Sequence, residues 1–117
     1  MKVLVLDDHK AFRDEVMNML HRNGHEAEDA ATAEEAIPRV ETGNYDIVLV
    51  DYQMPGHNGL WFMKHVDLPP STKALLVTAH TQREMINEMF KNGVSGYIIK
   101  PFDEEDLMHN LAFHCER

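Results

Sequence analysis

Short apolar runs separated by longer amphipathic stretches recur along the chain. Four runs, 3–6, 47–50, 74–77 and 97–99, are apolar without alternation, and a weaker run covers 26–30. Continuous apolar strands are typical of a parallel sheet that is covered by helices on both faces. We therefore expect five short strands, four of them buried on both faces.

The stretches between the runs have the period of helices. Apolar residues recur every three or four positions and so share one helical face. The three clearest sets are Phe12, Val16, Met19 and Leu20, then Met85, Ile86, Met89 and Phe90, and finally Leu107, Met108, Leu111 and Ala112. Each set predicts a helix.

Capping residues mark the ends of these helices. The helix starts are indicated by two capping-box pairs and one further cap, which are Thr32 with Glu35, Thr81 with Glu84, and Asp103. The helix ends are indicated by glycines that can adopt the left-handed conformation, which are Gly24, Gly43 and Gly93. Pro38 lies too deep in the second helix for its missing N–H to be harmless, so we expect a kink there.

The order of the elements predicts the fold class. Five successive strand–helix units with right-handed crossovers give an α/β fold, a doubly wound (βα)5 three-layer sandwich. The 117 residues fit one compact domain over 1–117, with no linker, repeat or low-complexity segment. We expect the chain to end in or just after the fifth helix, at Glu116 and Arg117.

Charge and composition narrow the range of functions. The net charge is −9 with neutral histidines, and this charge repels phosphate backbones, so we expect no direct binding of nucleic acid. No apolar run is long enough to span a bilayer. The single cysteine, Cys115, offers no disulfide within the chain, which favours a reducing compartment. We therefore expect a cytoplasmic domain without a membrane contact.

Polar side chains follow four of the predicted strands. Asp7 and Asp8 follow the first strand, Asp51 the third, Thr78 the fourth and Lys100 the fifth. The carboxyl ends of parallel strands meet at one edge of the sheet, so these groups should converge. Two carboxylates about 4 Å apart repel by roughly 4 kcal/mol at an effective dielectric constant near 20. A divalent cation such as Mg²⁺ offsets that repulsion, so the cluster predicts a metal site.

Phosphoryl transfer is the chemistry that this set of groups favours. Beside a metal ion, one carboxylate can act as the nucleophile toward a phosphoryl group, and the Lys100 ammonium can neutralise the charge on its oxygens. The Thr78 hydroxyl can donate a hydrogen bond to a phosphoryl oxygen once that oxygen is present. Thr78 is therefore a candidate sensor.

The same residues resemble the receiver domains of two-component response regulators, and the resemblance covers essentially the whole chain. The matching motifs are the acidic pair Asp7-Asp8, the segment Asp51-Tyr52-Gln53-Met54-Pro55 with Gly59, the pair Thr78-Ala79, and the segment Tyr97-Ile98-Ile99-Lys100-Pro101. The resemblance implies a flavodoxin-like, chemotaxis-type sheet of order 2-1-3-4-5. It also implies a switch that catalyses only its own aspartyl phosphorylation and dephosphorylation, and not an enzyme in the ordinary sense.

The resemblance implies a role for each residue of the acceptor site. Asp51 would accept the phosphoryl group and, together with Asp8, ligate Mg²⁺ or Mn²⁺. Asp7 would act partly through water, and the backbone carbonyl of Gln53 would complete the protein ligands. Lys100 would pair with the phosphoryl group.

Further implied roles concern switching and rate. Thr78 would move toward the phosphoryl oxygens, and Tyr97 would fill the vacated space. The peptide bond before Pro101 would be cis. Gln53 and His80 would flank the phosphoryl group and tune how fast it hydrolyses.

The resemblance also implies partners. The phosphoryl donor would be a phosphohistidine on a histidine kinase or a phosphotransfer protein. Phosphorylation would change the face formed by helix four, strand five and helix five, which an output domain or a downstream protein would read. A homodimer on phosphorylation would use helices four and five.

Three alternatives compete with this interpretation. A degenerate receiver would act as an interaction module that does not depend on phosphorylation. A phosphohydrolase of the haloacid dehalogenase type would carry a D-x-D pattern after strand one, where this chain has Asp7-Asp8-His9. A flavodoxin-like electron carrier needs a phosphate loop there, and Asp7 and Asp8 would repel a phosphate. The filled acceptor positions favour the phosphorylated switch.

We expect surface or packing roles for two further histidines and for the aromatic pair in the third helix. His9 and His57 lie in loops at the same edge of the sheet, where we expect solvated side chains. Of the neighbours Trp61 and Phe62, only one can face the core of the short third helix. The other is a candidate for an exposed contact residue.

Overall fold

The computed structural model describes residues 1–115, in which strands and helices alternate. The elements are β1 (Lys2–Leu6), α1 (Lys10–Arg22), β2 (Glu26–Ala30), α2 (Ala33–Thr42), β3 (Ile47–Asp51), α3 (Gly59–His65), β4 (Lys73–Thr78), α4 (Arg83–Lys91), β5 (Val94–Ile99) and α5 (Glu104–Cys115). The expectation for Glu116 and Arg117 lies outside the described residues.

The strands form one parallel sheet in the order β2-β1-β3-β4-β5, which confirms the doubly wound (βα)5 prediction. Two buried apolar clusters cover its faces, one with α2, α3 and α4 and the other with α1 and α5. The central strands β1, β3 and β4 are buried along almost their whole length, as their apolar runs predict. No helix in the described part of the chain is long and apolar enough to cross a membrane.

Strand β5 differs from its prediction. It covers Val94–Ile99 instead of 97–99, and it alternates between buried and solvent-facing residues, with Ser95 and Tyr97 exposed. The reason is its position at the edge of the sheet, where one face of the strand stays open. The prediction that this strand is buried on both faces is therefore wrong.

The predicted starts of α2 and α5 are confirmed. The Thr32 hydroxyl accepts the N–H of Glu35 at 3.1 Å, and the Asp103 carboxylate accepts the N–H of Asp106 at 2.8 Å. Both side chains satisfy N–H groups that the first turn of a helix leaves without an internal partner.

The predicted capping box at α4 is wrong. This helix begins at Arg83, and Gln82 is the residue before it, so Thr81 lies one position too early to cap the helix. The Gln82 side chain makes no capping hydrogen bond. The first turn of α4 therefore lacks a side-chain cap.

The predicted helix ends are confirmed at two glycines and wrong at the third. Gly24 and Gly93 have φ of 80° and 108°, in the left-handed region. Gly43 instead has φ −92° and ψ 171°, which is extended backbone. A Cβ at Gly43 would lie 2.5 Å from Cε2 of Tyr45, so the close approach of this ring explains the glycine. Helix α2 continues through Pro38, and the kink stays a prediction.

Candidate functional site

Four strands deliver polar side chains to the carboxyl edge of the sheet. β1 leads into Asp7 and Asp8, β3 ends at Asp51, β4 ends at Thr78, and Lys100 follows β5. The parallel pairing of β1 with β3, β3 with β4 and β4 with β5 sets these strand ends side by side. The result is a pocket of about 450 Å³ that Asp8, Asp51 and Lys100 line.

The Lys100 ammonium is held between two carboxylates. Its Nζ lies 2.8 Å from Oδ2 of Asp7 and 3.7 Å from Oδ1 of Asp51. It also lies 4.1 Å from the centroid of the Phe12 ring, a cation–π distance. Lys100 therefore places one positive charge beside the carboxylate that ends β3.

Asp51 is an acid whose charge its surroundings disfavour. Only 7% of its surface is exposed. The pKa of its carboxyl is raised from 3.8 to about 6, chiefly by burial and further by repulsion from Asp7 and Asp8. The Lys100 ammonium and a hydrogen bond from the backbone of Tyr52 oppose this shift. At neutral pH the Asp51 carboxylate is ionised. A bound cation, or a covalent bond to an electrophile, would reduce its repulsion from Asp7 and Asp8.

The two acids after β1 fit a divalent metal ion. Asp7 is almost fully buried, and its Oδ1 accepts the backbone N–H of His9 at 2.8 Å. Oδ1 of Asp8 is a buried atom that no hydrogen bond satisfies within residues 1–115. A buried carboxylate oxygen without a donor is costly unless a cation compensates it. Together with Asp51 these acids could supply the oxygen ligands that Mg²⁺ and Mn²⁺ take.

A hydrogen bond links the loops on the two sides of the pocket. Nε2 of His80 lies 2.7 Å from Oε1 of Gln53, and both residues line the pocket. The backbone N–H of His80 donates to the hydroxyl of Thr78 at 3.0 Å. Thr78 itself is fully buried beneath this loop. The hydroxyl proton of Thr78 remains available as a donor.

Gly59 allows the loop after β3 to close against that strand. A Cβ at this position would collide with the backbone carbonyl oxygen of Asp51. The N–H of Gly59 donates to the carbonyl of Tyr52 at 2.8 Å, which fixes the approach. The preceding Asn58 caps α3 through a 2.9 Å bond from the N–H of Trp61. The loop that carries Gln53 is therefore anchored at both ends.

Arg13 supports the site and was missed from the sequence. Its Nη1 donates to the backbone carbonyl of Asp7 at 2.9 Å, and its Nε donates to the carboxylate of Asp29 at 2.8 Å. Its side chain is only 12% exposed. An arginine on an amphipathic helix ordinarily faces water, so no pattern in the sequence marks Arg13 as part of the site.

Several predicted residues lie away from the pocket. Tyr97 is 44% exposed and packs edge-on against Phe90, with their ring centroids 6.2 Å apart. Phe62 is the buried member of its pair, as the helical geometry requires, and Trp61 stacks against His57 at 3.7 Å. His57 thus borders α3 and not the acidic pocket. The Lys100–Pro101 peptide bond is cis.

Comparisons with known proteins agree on one family. The family model described as response regulator receiver domain matches residues 3–112. Chemotaxis protein CheY-3 of Vibrio cholerae is 36% identical to the chain, with 100% of the chain and 93% of the relative covered. Chemotaxis protein CheY of Pseudomonas aeruginosa is 34% identical over 100% of the chain and 98% of the relative. The crystal structure of chemotaxis protein CheY4 of Vibrio cholerae superposes with a TM-score of 0.89 at 32% identity, covering 96% of each chain.

Proposed function

This chain belongs to the response regulator receiver domain family, and from that membership we propose that it takes a phosphoryl group on Asp51 in a reaction that needs Mg²⁺ or Mn²⁺. The observation that carries the proposal is the buried Asp51 carboxylate, whose pKa is raised to about 6 beside two further acids and one ammonium. Such a perturbed group in a pocket is typical of a functional site. Residues 1–117 would act as one receiver domain.

Asp8 and Asp51 would hold the metal ion, with the backbone carbonyl of Gln53 as a further ligand and Asp7 acting partly through water. The buried oxygen of Asp8 without a hydrogen bond supports this assignment. When bound, a divalent cation neutralises charge that spreads over the oxygens of a transferring phosphoryl group.

Asp51 would attack the phosphorus atom of a phosphohistidine on a histidine kinase or phosphotransfer protein. A bond forms between one Asp51 oxygen and phosphorus while the bond from phosphorus to the imidazole nitrogen breaks, and the imidazole leaves with the electron pair. Lys100 would turn from Asp7 toward the phosphoryl group, since its Nζ is already 3.7 Å from Asp51. Its ammonium would stabilise the charge on the phosphoryl oxygens.

Gln53 and His80 would set how long the phosphoryl group survives. Their 2.7 Å hydrogen bond spans the pocket, and the two side chains would there limit the approach of water to a phosphoryl group on Asp51. Replacing His80 by alanine removes this bond, and dephosphorylation of the phosphorylated chain is then expected to be faster. An unchanged rate of dephosphorylation in His80→Ala would contradict this role of Gln53 and His80.

The output would be a change of the face formed by α4, β5 and α5. The Thr78 hydroxyl would donate a hydrogen bond to a phosphoryl oxygen. Tyr97, which is turned outward beside Phe90, would then move into the space that Thr78 leaves. We propose that an output domain or a downstream protein binds this face. A homodimer that forms through this face on phosphorylation is the alternative to binding by another domain or protein. If Thr78→Ala left partner binding fully dependent on phosphorylation, this coupling would be wrong.

Intact-mass measurement after incubation with acetyl phosphate tests the proposal. The native chain is expected to gain one phosphoryl group with Mg²⁺ and none in EDTA, and Asp51→Asn is expected to gain none with either. Asp14→Asn is a matched control, because Asp14 is an exposed acid on α1 paired with Lys10. No gain by the native chain would favour a degenerate receiver that acts as an interaction module.

A further inference from the structure

Phe12 is an aromatic residue of α1 that lies between the core and the acceptor site. It begins the apolar stripe of this helix, but it is only partly buried, whereas Val16 and Leu20 further along the stripe are buried. Because α1 begins at Lys10, soon after β1, this end of the stripe lies at the carboxyl edge of the sheet. The Nζ of Lys100 lies 4.1 Å from the centroid of the Phe12 ring. Phe12 therefore contacts both the core and the ammonium of the site.

We propose that Phe12 is a positioning residue for phosphoryl transfer, which holds the Lys100 ammonium beside Asp51 through a cation–π contact. The inference rests on the proposed acceptor role of Asp51. The negative face of an aromatic ring attracts an ammonium that lies within about 6 Å of its centroid. Unlike a carboxylate, the ring carries no net charge, so it leaves the positive charge of Lys100 available to the phosphoryl oxygens.

The ring contact can persist while the ammonium changes its partner. The Nζ of Lys100 binds Oδ2 of Asp7 at 2.8 Å and lies 3.7 Å from Oδ1 of Asp51. A charge-assisted hydrogen bond is about 2.8 Å long, so the ammonium must move about 1 Å to bind on the side of Asp51. That movement leaves Nζ at most about 5 Å from the centroid of Phe12, which is within cation–π range. The ring thus retains the ammonium when Asp7 releases it.

A second ring fixes the orientation of Phe12. The rings of Phe12 and Phe102 are nearly perpendicular, with an angle of 88° between their planes and 6.0 Å between their centroids. Phe102 lies two residues after Lys100, so this pair joins α1 to the segment that carries the ammonium. A lysine side chain is long and flexible. A fixed ring that limits its conformations lowers the entropic cost of placing the ammonium beside the transferred group.

The competing explanation is that Phe12 only fills space beside the apolar cluster under α1 and α5, against which it packs. Fluorination of the ring separates the two explanations. Fluorine atoms withdraw electrons from the face of the ring and so weaken its attraction for a cation, while its shape and apolar character are largely kept. A residue that only packs tolerates this change, whereas a cation–π partner does not.

The experiment measures the initial rate of phosphoryl gain by the full chain with acetyl phosphate and Mg²⁺. Phe12 is replaced in turn by phenylalanines that carry one, two and three fluorine atoms. The rate is expected to fall stepwise, by about three- to tenfold with three fluorines. Phe12→Leu should be slowed at least as much, and Phe12→Tyr, which keeps the ring, should stay close to the native rate. Far-UV circular dichroism verifies that each variant is folded.

The matched control is the same fluorination at Phe62, which is fully buried in the apolar cluster on the other face of the sheet. Fluorination at this position is expected to leave the rate unchanged. An equal slowing at both positions would overturn the proposal, because fluorine would then act through the packing of the core.

Proton NMR of the metal-free chain gives a second measurement, which does not depend on phosphorylation. The ring current of Phe12 displaces the signals of the Lys100 ε-methylene protons, and this displacement is expected to shrink with fluorination and to vanish in Phe12→Leu. Phosphoryl gain with equal rates and equal displacements across the fluorinated series would refute the role of Phe12 alone. No gain by the native chain would refute the proposed acceptor chemistry and with it any role in transfer, even where the displacement shows the cation contact.

Discussion

Replacing Asp51 by asparagine is expected to stabilise the metal-free protein at neutral pH. The pKa of Asp51 is raised from 3.8 to about 6 in the folded chain, mainly by burial. At about 1.4 kcal/mol per pKa unit this difference corresponds to about 3 kcal/mol. Asparagine has nearly the same shape but cannot ionise, so it avoids most of this cost.

The sign of the pH dependence follows from the raised pKa. Protonated Asp51 favours the fold, so its contribution to stability is complete below pH 3.8 and is lost as the pH rises through about 6. The advantage of Asp51→Asn should therefore be about 3 kcal/mol near pH 7.5 and should fall close to zero near pH 4. Urea unfolding in EDTA, followed by the fluorescence of Trp61, the single tryptophan, measures both values.

Two results would refute this reasoning. One is a variant no more stable than the native chain near pH 7.5, and the other is an advantage of equal size near pH 4. The control Asp14→Asn is expected to change little at either pH, because Asp14 is exposed. Saturating Mg²⁺ should narrow the gap, since a ligand at 100 times its Kd stabilises the native chain by about 2.7 kcal/mol.

Three further substitutions test other parts of the site. Gly59→Ala should destabilise the fold by about 1–3 kcal/mol in urea unfolding, because a Cβ there meets the backbone of Asp51; a neutral effect would contradict the tight approach. Lys100→Met removes the ammonium that lowers the pKa of Asp51, so the pKa of Asp51 should rise above about 6. Carboxyl NMR measures this pKa. An unchanged or lower pKa would contradict the proximity of Lys100 to Asp51. Arg13→Met should weaken Mg²⁺ binding about tenfold in calorimetry, as expected when a group that orients metal ligands is lost. The control Arg22→Met, at an exposed arginine, should leave the Mg²⁺ affinity unchanged. Equal effects of the two substitutions would contradict a specific role of Arg13 in the metal site.

The fold was predictable because its determinants are local. Continuous apolar runs identified the buried strands β1, β3 and β4, and the positions just past the strand ends identified Asp7, Asp8 and Asp51 as neighbours. The predictions that were wrong concern features that tertiary contacts determine. Gly43 looked like a left-handed helix end, but the ring of Tyr45 is what requires a glycine there.

The surroundings of the site were less predictable than its acids. The role of Arg13 depends on a carbonyl and a carboxylate that come together only when α1 packs beside β2. The exposure of Tyr97 depends on β5 being the edge strand, and no pattern within 97–99 reveals this. The imidazole of His9 points toward Asp7 and Asp8, with Nδ1 3.5 Å from an oxygen of each, and the folded turn after β1 sets this direction.

The central claim is that Asp51 itself carries the phosphoryl group, and chemical trapping tests it most directly. Borohydride reduces an aspartyl phosphate to homoserine, which peptide mapping then locates in the chain. After incubation with acetyl phosphate and Mg²⁺, the account predicts homoserine at position 51 and none at the neighbouring acids Asp7 and Asp8. Homoserine at either of those acids, or at no position despite phosphoryl gain, would contradict it.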